Sequence, residues 1–202
     1  MIRLCFMLFL WVWVHTAQAD TVPPILPALY AVTGVANDDK LNVRSAPDGT
    51  AAVVHQLAHD ATDIQVVQLS LEGNWAYVSQ GERSGWVARR FLAPTPSETD
   101  SYGLPVSLTC FGTEPFWAIA FKPKGLQIIT PQDAQIFPIT TPGFLPQDAQ
   151  IGRFGYRFTW MEGNTAVRAY ILPGLCSDGM SDAVYGLHYV DTRTQNAGCC
   201  SL

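Results

Sequence analysis

Charge is scarce in this 202-residue chain. Asp, Glu, Lys and Arg make up 14% of it, with a net charge of −5 and no basic stripe. Such a surface has no electrostatic footprint for nucleic acid or anionic lipid, which argues against both as partners. Histidine is equally thin: His188 alone lies beyond residue 105, leaving no His–His pair there for a metal. Cysteine is missing from residues 6–109, and after residue 19 no apolar run is long enough to span a bilayer. No helix of useful length fits the pattern from Tyr30 to Leu92.

The first 19 residues have their own logic. Arg3 gives a short basic start, Leu4 to Val14 form an apolar run, and Ala17-Gln-Ala19 places small residues before a cut. This is the pattern of a secretory signal peptide, expected at 1–19. Cys5 lies too early to serve as a lipidation site. Without Arg3 the chain carries 11 basic against 17 acidic residues, a net of −6. The expected product is soluble, periplasmic or secreted, with no membrane span after cleavage.

What remains reads as β-structure. A proline-rich extended leader is expected at 20–28. From Tyr30 onward, "YAVTGVA", "LNVRSAP", "AVVHQLA", "IQVVQL", "WAYVSQ" and "SGWVARRFL" are short runs rich in Val, Ile and aromatics. They are cut by "NDD", "PDG", "LEGN" and "GERSG", which are turn compositions. Strands this short, at this spacing, predict a small barrel or sandwich over 29–93. Three prolines and polar residues mark 94–105 as a linker. A second β-rich domain is expected at 106–202, so the fold class is all-β. Within it "PQDAQIF" (131–137) recurs as "PQDAQIG" (146–152), read as a local duplication in a hairpin or loop.

Export places the cysteines where disulfides persist. Past the signal there are four: Cys110, Cys176, Cys199 and Cys200. A bridge between Cys199 and Cys200 is discounted, because neighbouring Cα atoms lie only about 3.8 Å apart. Cys110 and Cys176 are then each tied to one of the pair, in either order. Metal ligation by Cys176, Cys199, Cys200 and His188 matches no zinc spacing. No metal and no cofactor is expected.

The order and spacing of "LNVRSAP" and the later "GW" resemble the bacterial SH3 domain over about 60 residues. Leu41 and Val43 alternate inward, and Pro47-Asp-Gly49 makes the turn. Gly85 suits a place where a side chain would crowd the barrel. Where that family has glycines, this chain has His55 and Asp60; Asp tolerates the positive φ of such a turn. The resemblance implies a binding module for cell-wall peptide or another short peptide, often beside a second domain. A groove for it would use exposed aromatics with a few polar groups: Trp75, Tyr77 and Trp86, with Asn42 and Arg44.

The motifs "CFGTEPFW" (110–117), "CSDGMSD" (176–182) and "GCC" (198–200) resemble a family of uncharacterised exported bacterial proteins. There the second motif usually continues as Arg-x-Tyr-Pro; here Ala183, Val184, Tyr185 and Gly186 stand in that place. Two readings follow. In one, Glu114 works with Asp178 or Asp182 as an acid–base group of an envelope hydrolase, dried by Phe116 and Trp117. In the other, Glu114-Pro115 and Asp178-Gly179 are turns, Phe116 and Trp117 straddle a sheet, and disulfides join three segments into a stapled corner. The stapled corner is the leading expectation, with a non-catalytic envelope protein as the function. A disulfide-bonded protein inhibitor is a third possibility.

Overall fold

The structure, a computed structural model, describes residues 26–100, 104–122, 125–140, 143–144, 155–193 and 197–202. The expected signal peptide, residues 20–25 of the leader, and the second copy of the repeat lie outside the described residues.

The chain forms two antiparallel sheets with two separate cores. The first contains β1 (Ala28–Val32), β2 (Lys40–Arg44), β3 (Val53–Ala58), β4 (Ile64–Leu69), β5 (Trp75–Gln80), β6 (Arg83–Ala88) and β7 (Leu92–Pro94). Their order across the sheet is β3-β2-β6-β5-β4-β1-β7. The two-residue period decides what is inside. Leu41, Val43, Ala76, Val78 and Val87 turn to the core, and their chain neighbours turn out. Gly85 faces inward too. A Cβ there would lie 2.5 Å from Val43 Cγ1 and 3.0 Å from the Arg44 carbonyl, so the strands approach closely because the side chain is missing.

The turn after β3 differs from expectation. Among the described residues the non-glycine positive φ belongs to Asp63 (55°), at the entry to β4, and not to Asp60. His55 sits within β3 in extended backbone, paired with Val43.

The second sheet contains β8 (Thr109–Thr113), β9 (Phe116–Lys122), β10 (Gly125–Ile129), β11 (Ala134–Phe137), β12 (Gly143–Phe144), β13 (Tyr156–Glu162), β14 (Thr165–Ser177), β15 (Val184–Asp191) and β16 (Ala197–Ser201). Every neighbour is antiparallel, and β16 pairs with β8. On the other side β11 returns against β13, and Ile139 bridges Trp160. Eight strands, β8–β11 and β13–β16, therefore make a nearly closed up-and-down barrel. Side chains fill it: Trp117, Ile119, Phe121, Phe158, Trp160 and Tyr189 are all buried in one cluster.

Both disulfides end on β16: Cys110–Cys200 and Cys176–Cys199. Alternation along the strand settles the choice that spacing left open. Cys200 points into the barrel and faces Cys110 in register on β8, whereas Cys199 points to the other side. There it meets Cys176, which follows the bulge in β14 between Pro173 and Cys176.

The two sheets touch. The Val184 N–H donates to Ser84 Oγ (2.8 Å), and Gln65 Oε1 accepts from the Leu202 N–H (2.9 Å) and the Ser201 hydroxyl (3.3 Å). Between them, Asp100 and Leu104 exchange backbone and side-chain hydrogen bonds, and Leu104 is buried in the second core. The region read as a linker is thus tied by hydrogen bonds at Asp100 and Leu104.

Candidate functional site

The outer face of β2, β6 and β5 collects all five expected ligand residues. Arg44 pairs with Trp86, Trp86 with Tyr77, and Trp75 with Ala88, so they lie in adjacent cross-strand rows. The Tyr77 and Trp86 rings are 5.1 Å apart at 54°. Asn42 Oδ1 accepts from Gln56 Nε2 (2.8 Å), and Arg44 Nη1 donates to the Ala51 carbonyl (2.7 Å). Both polar side chains are held in place by neighbours before any ligand arrives.

One end of this face opens into a groove of about 410 Å³. Asn42, Arg44 and Trp75 line it together with Lys40, Arg90 and Phe91. The last two come from the 3-10 turn Arg89–Phe91, which folds back after β6. The Arg90 guanidinium lies 4.5 Å from the centroid of the Phe91 ring, a cation–π contact. Three cations therefore border the groove, against Asp39 as its acid. Lys40, Arg90 and Phe91 were missed from sequence; "ARRF" directly after the "GW" was the available signal.

Tyr77 and Trp86 do not line the groove but sit further along the face, toward the barrel. Burial pushes the Tyr77 hydroxyl above its ordinary range, and the negative charge of Asp182 adds to that.

No family model, curated protein or solved structure matches this chain.

The three carboxylates of the hydrolase reading share no cleft among the described residues: Asp178 and Asp182 line different ones, and Glu114 lines neither. Glu114 is exposed on the two-residue turn joining β8 to β9, before a cis proline. Phe116 faces solvent while Trp117 enters the core, so the pair straddles the sheet and encloses no dry pocket around Glu114. Among the described residues the Glu114 carboxylate accepts no hydrogen bond from its turn.

Asp178 behaves as a turn residue. Its carboxylate accepts from the N–H groups of Met180 (2.9 Å) and Ser181 (3.0 Å) and from the Ser181 hydroxyl. These bonds, that from Met180 foremost, hold it below the usual carboxylate range, the wrong direction for a proton donor. Asp178 and Asp182 line different clefts, Asp182 the one shared with Glu82 and Arg83 of the first sheet. Cys110, Cys176, Cys199 and Cys200 are all consumed in bridges, so a thiolate set with His188 does not form.

Proposed function

We propose that this is an exported envelope protein whose first sheet is an SH3-like binding module. Its ligand is a carboxylate-bearing peptide of the cell wall or an acidic segment of an envelope protein, and the protein is non-catalytic. One observation carries the reading: Lys40, Arg44 and Arg90 meet Trp75 and Phe91 around one groove in a chain of net negative charge. Cations fix a carboxylate, aromatic faces take the apolar part of a peptide, and the pre-bonded Arg44 and Asn42 lower the entropy lost on binding. Periplasmic or secreted location is supported by the signal-like first 19 residues and by the two disulfides. The barrel then serves as a stapled companion to the module.

The test is retention of the disulfide-intact protein on purified peptidoglycan against an acidic control protein. Retention is expected, and the double variant Arg44→Ala/Arg90→Ala should weaken it roughly tenfold or more. Retention equal to the control would remove the cell-wall claim.

A further inference from the structure

The outer face of the barrel carries a second cleft, of about 460 Å³, at the "CFGTEPFW" corner. Its shape follows from register. Phe111 on β8, Ala118 on β9 and Ile129 on β10 stand side by side, all on the outer face. The small Ala118 between two large neighbours makes a trough. Phe116 closes one end and Pro131 flanks it. Phe116 is 57% and Ile129 38% exposed, an apolar patch that water covers poorly. Around the trough the backbone is fixed: Cys110, next to Phe111, is bridged to Cys200, and the Trp117 ring is wedged against Gly112.

The charge of the cleft is opposite to that of the first groove. Among the described residues Asp178 is its one ionisable lining residue, and no described cation lines it. Hydrogen bonds hold Asp178 ionised; the Tyr185 hydroxyl also faces the carboxylate, whose Oδ2 accepts from the Ser181 hydroxyl (3.0 Å). That oxygen keeps acceptor capacity.

We infer that this cleft is a second binding site, for a peptide segment presenting an apolar side chain beside a lysine or arginine. The apolar side chain lies in the trough over Ala118, and the cation meets the Asp178 carboxylate. An acidic or neutral segment gains nothing from the rim. The two faces of the protein therefore select partners of opposite charge.

The probes are acetyl-Phe-Lys-amide and acetyl-Phe-Gln-amide, titrated into the full disulfide-intact protein with methyl groups followed by NMR. The lysine peptide should shift the Ala118 and Ile129 methyls saturably, and bind roughly 1.5- to fivefold tighter than the glutamine peptide, the range of an exposed ion pair. Asp178→Asn should erase that difference while leaving the glutamine peptide's binding in place. Ala118→Leu, on an outward position away from the Asp178 turn, should fill the trough and abolish the Ile129 shift with both peptides. Absence of saturable shifts at Ala118 and Ile129, or equal affinity for the two peptides in the unmodified protein, would overturn the inference.

Discussion

The indole of Trp117 occupies the space that a side chain on Gly112 would need. A Cβ at Gly112 would lie 2.3 Å from Trp117 Nε1 and 2.6 Å from Cε2. These two residues are direct partners across β8 and β9, and Gly198 on β16 leaves room for the same ring, its would-be Cβ 2.8 Å from Cζ2. Two glycines thus admit one tryptophan. Gly112→Ala should cost about 1–3 kcal/mol, the range for overpacking a filled core, read from urea unfolding. An unchanged midpoint would show that the ring has room to move.

The two disulfides should differ in worth. They close separations of 90 and 23 residues, for which the chain-entropy relation gives about 4.6 and about 3.4 kcal/mol. Replacing Cys110 and Cys200 with alanine should therefore destabilise more than replacing Cys176 and Cys199. Cys200 lies in the barrel core, so the first pair also leaves a packing defect. Chemical denaturation of the two double variants gives the order directly.

Within the barrel, the Tyr189 hydroxyl donates to Asp191 Oδ2 at 2.9 Å. Burial first, then the Asp191 charge, pushes the tyrosine far above its ordinary range. Its neutral form is the one that folding favours. The contribution is complete below about pH 10 and is lost as pH rises beyond it. Ultraviolet titration should show no Tyr189 phenolate until the protein unfolds. Tyr189→Phe should cost about 1.5–3 kcal/mol at neutral pH.

His55 predicts the opposite slope. Its Nε2 is buried with no hydrogen-bond partner among the described residues, and burial, with Arg83 adding, holds the imidazole below its usual range. The unfolded chain binds the proton more readily, so stability is full above about pH 6.5 and falls as pH drops below it. Thermal melts at pH 7.5 and pH 5 should show this loss, and His55→Gln should reduce it. Equal pH dependence in both proteins would place the effect elsewhere.

Much of the fold was legible because strands announce themselves by alternation. The alternation of Leu41 and Val43 with Asn42 and Arg44 is enough to fix both the core side and the outer side of β2. The adjacent cysteines were legible as two separate staples, yet their assignment was not. It depends on which side of β16 faces the barrel, and only the pairing of Cys200 with Cys110 decides that. Long-range register is likewise invisible along the chain. Phe111, Ala118 and Ile129 come from three strands, and no spacing brings them into one row. Arg90 and Phe91 escaped notice because a 3-10 turn, not a strand, carries them back to the groove. Asp178 was read correctly as a turn residue from the glycine after it; Glu114, followed by proline, does not make the same bonds.

The meeting of both disulfides on β16 sets a timetable for the chain. Cys110 and Cys176 are synthesised well before Cys199 and Cys200, and neither native bridge exists until those two residues arrive. In the interval, the pairing open to the earlier two within this sheet is with each other, and the finished barrel contains no such bond. Maturation must either keep them reduced until the last strand docks or undo a wrong bridge by thiol exchange. The strand that seals the barrel is also the one that ends its wait for oxidation.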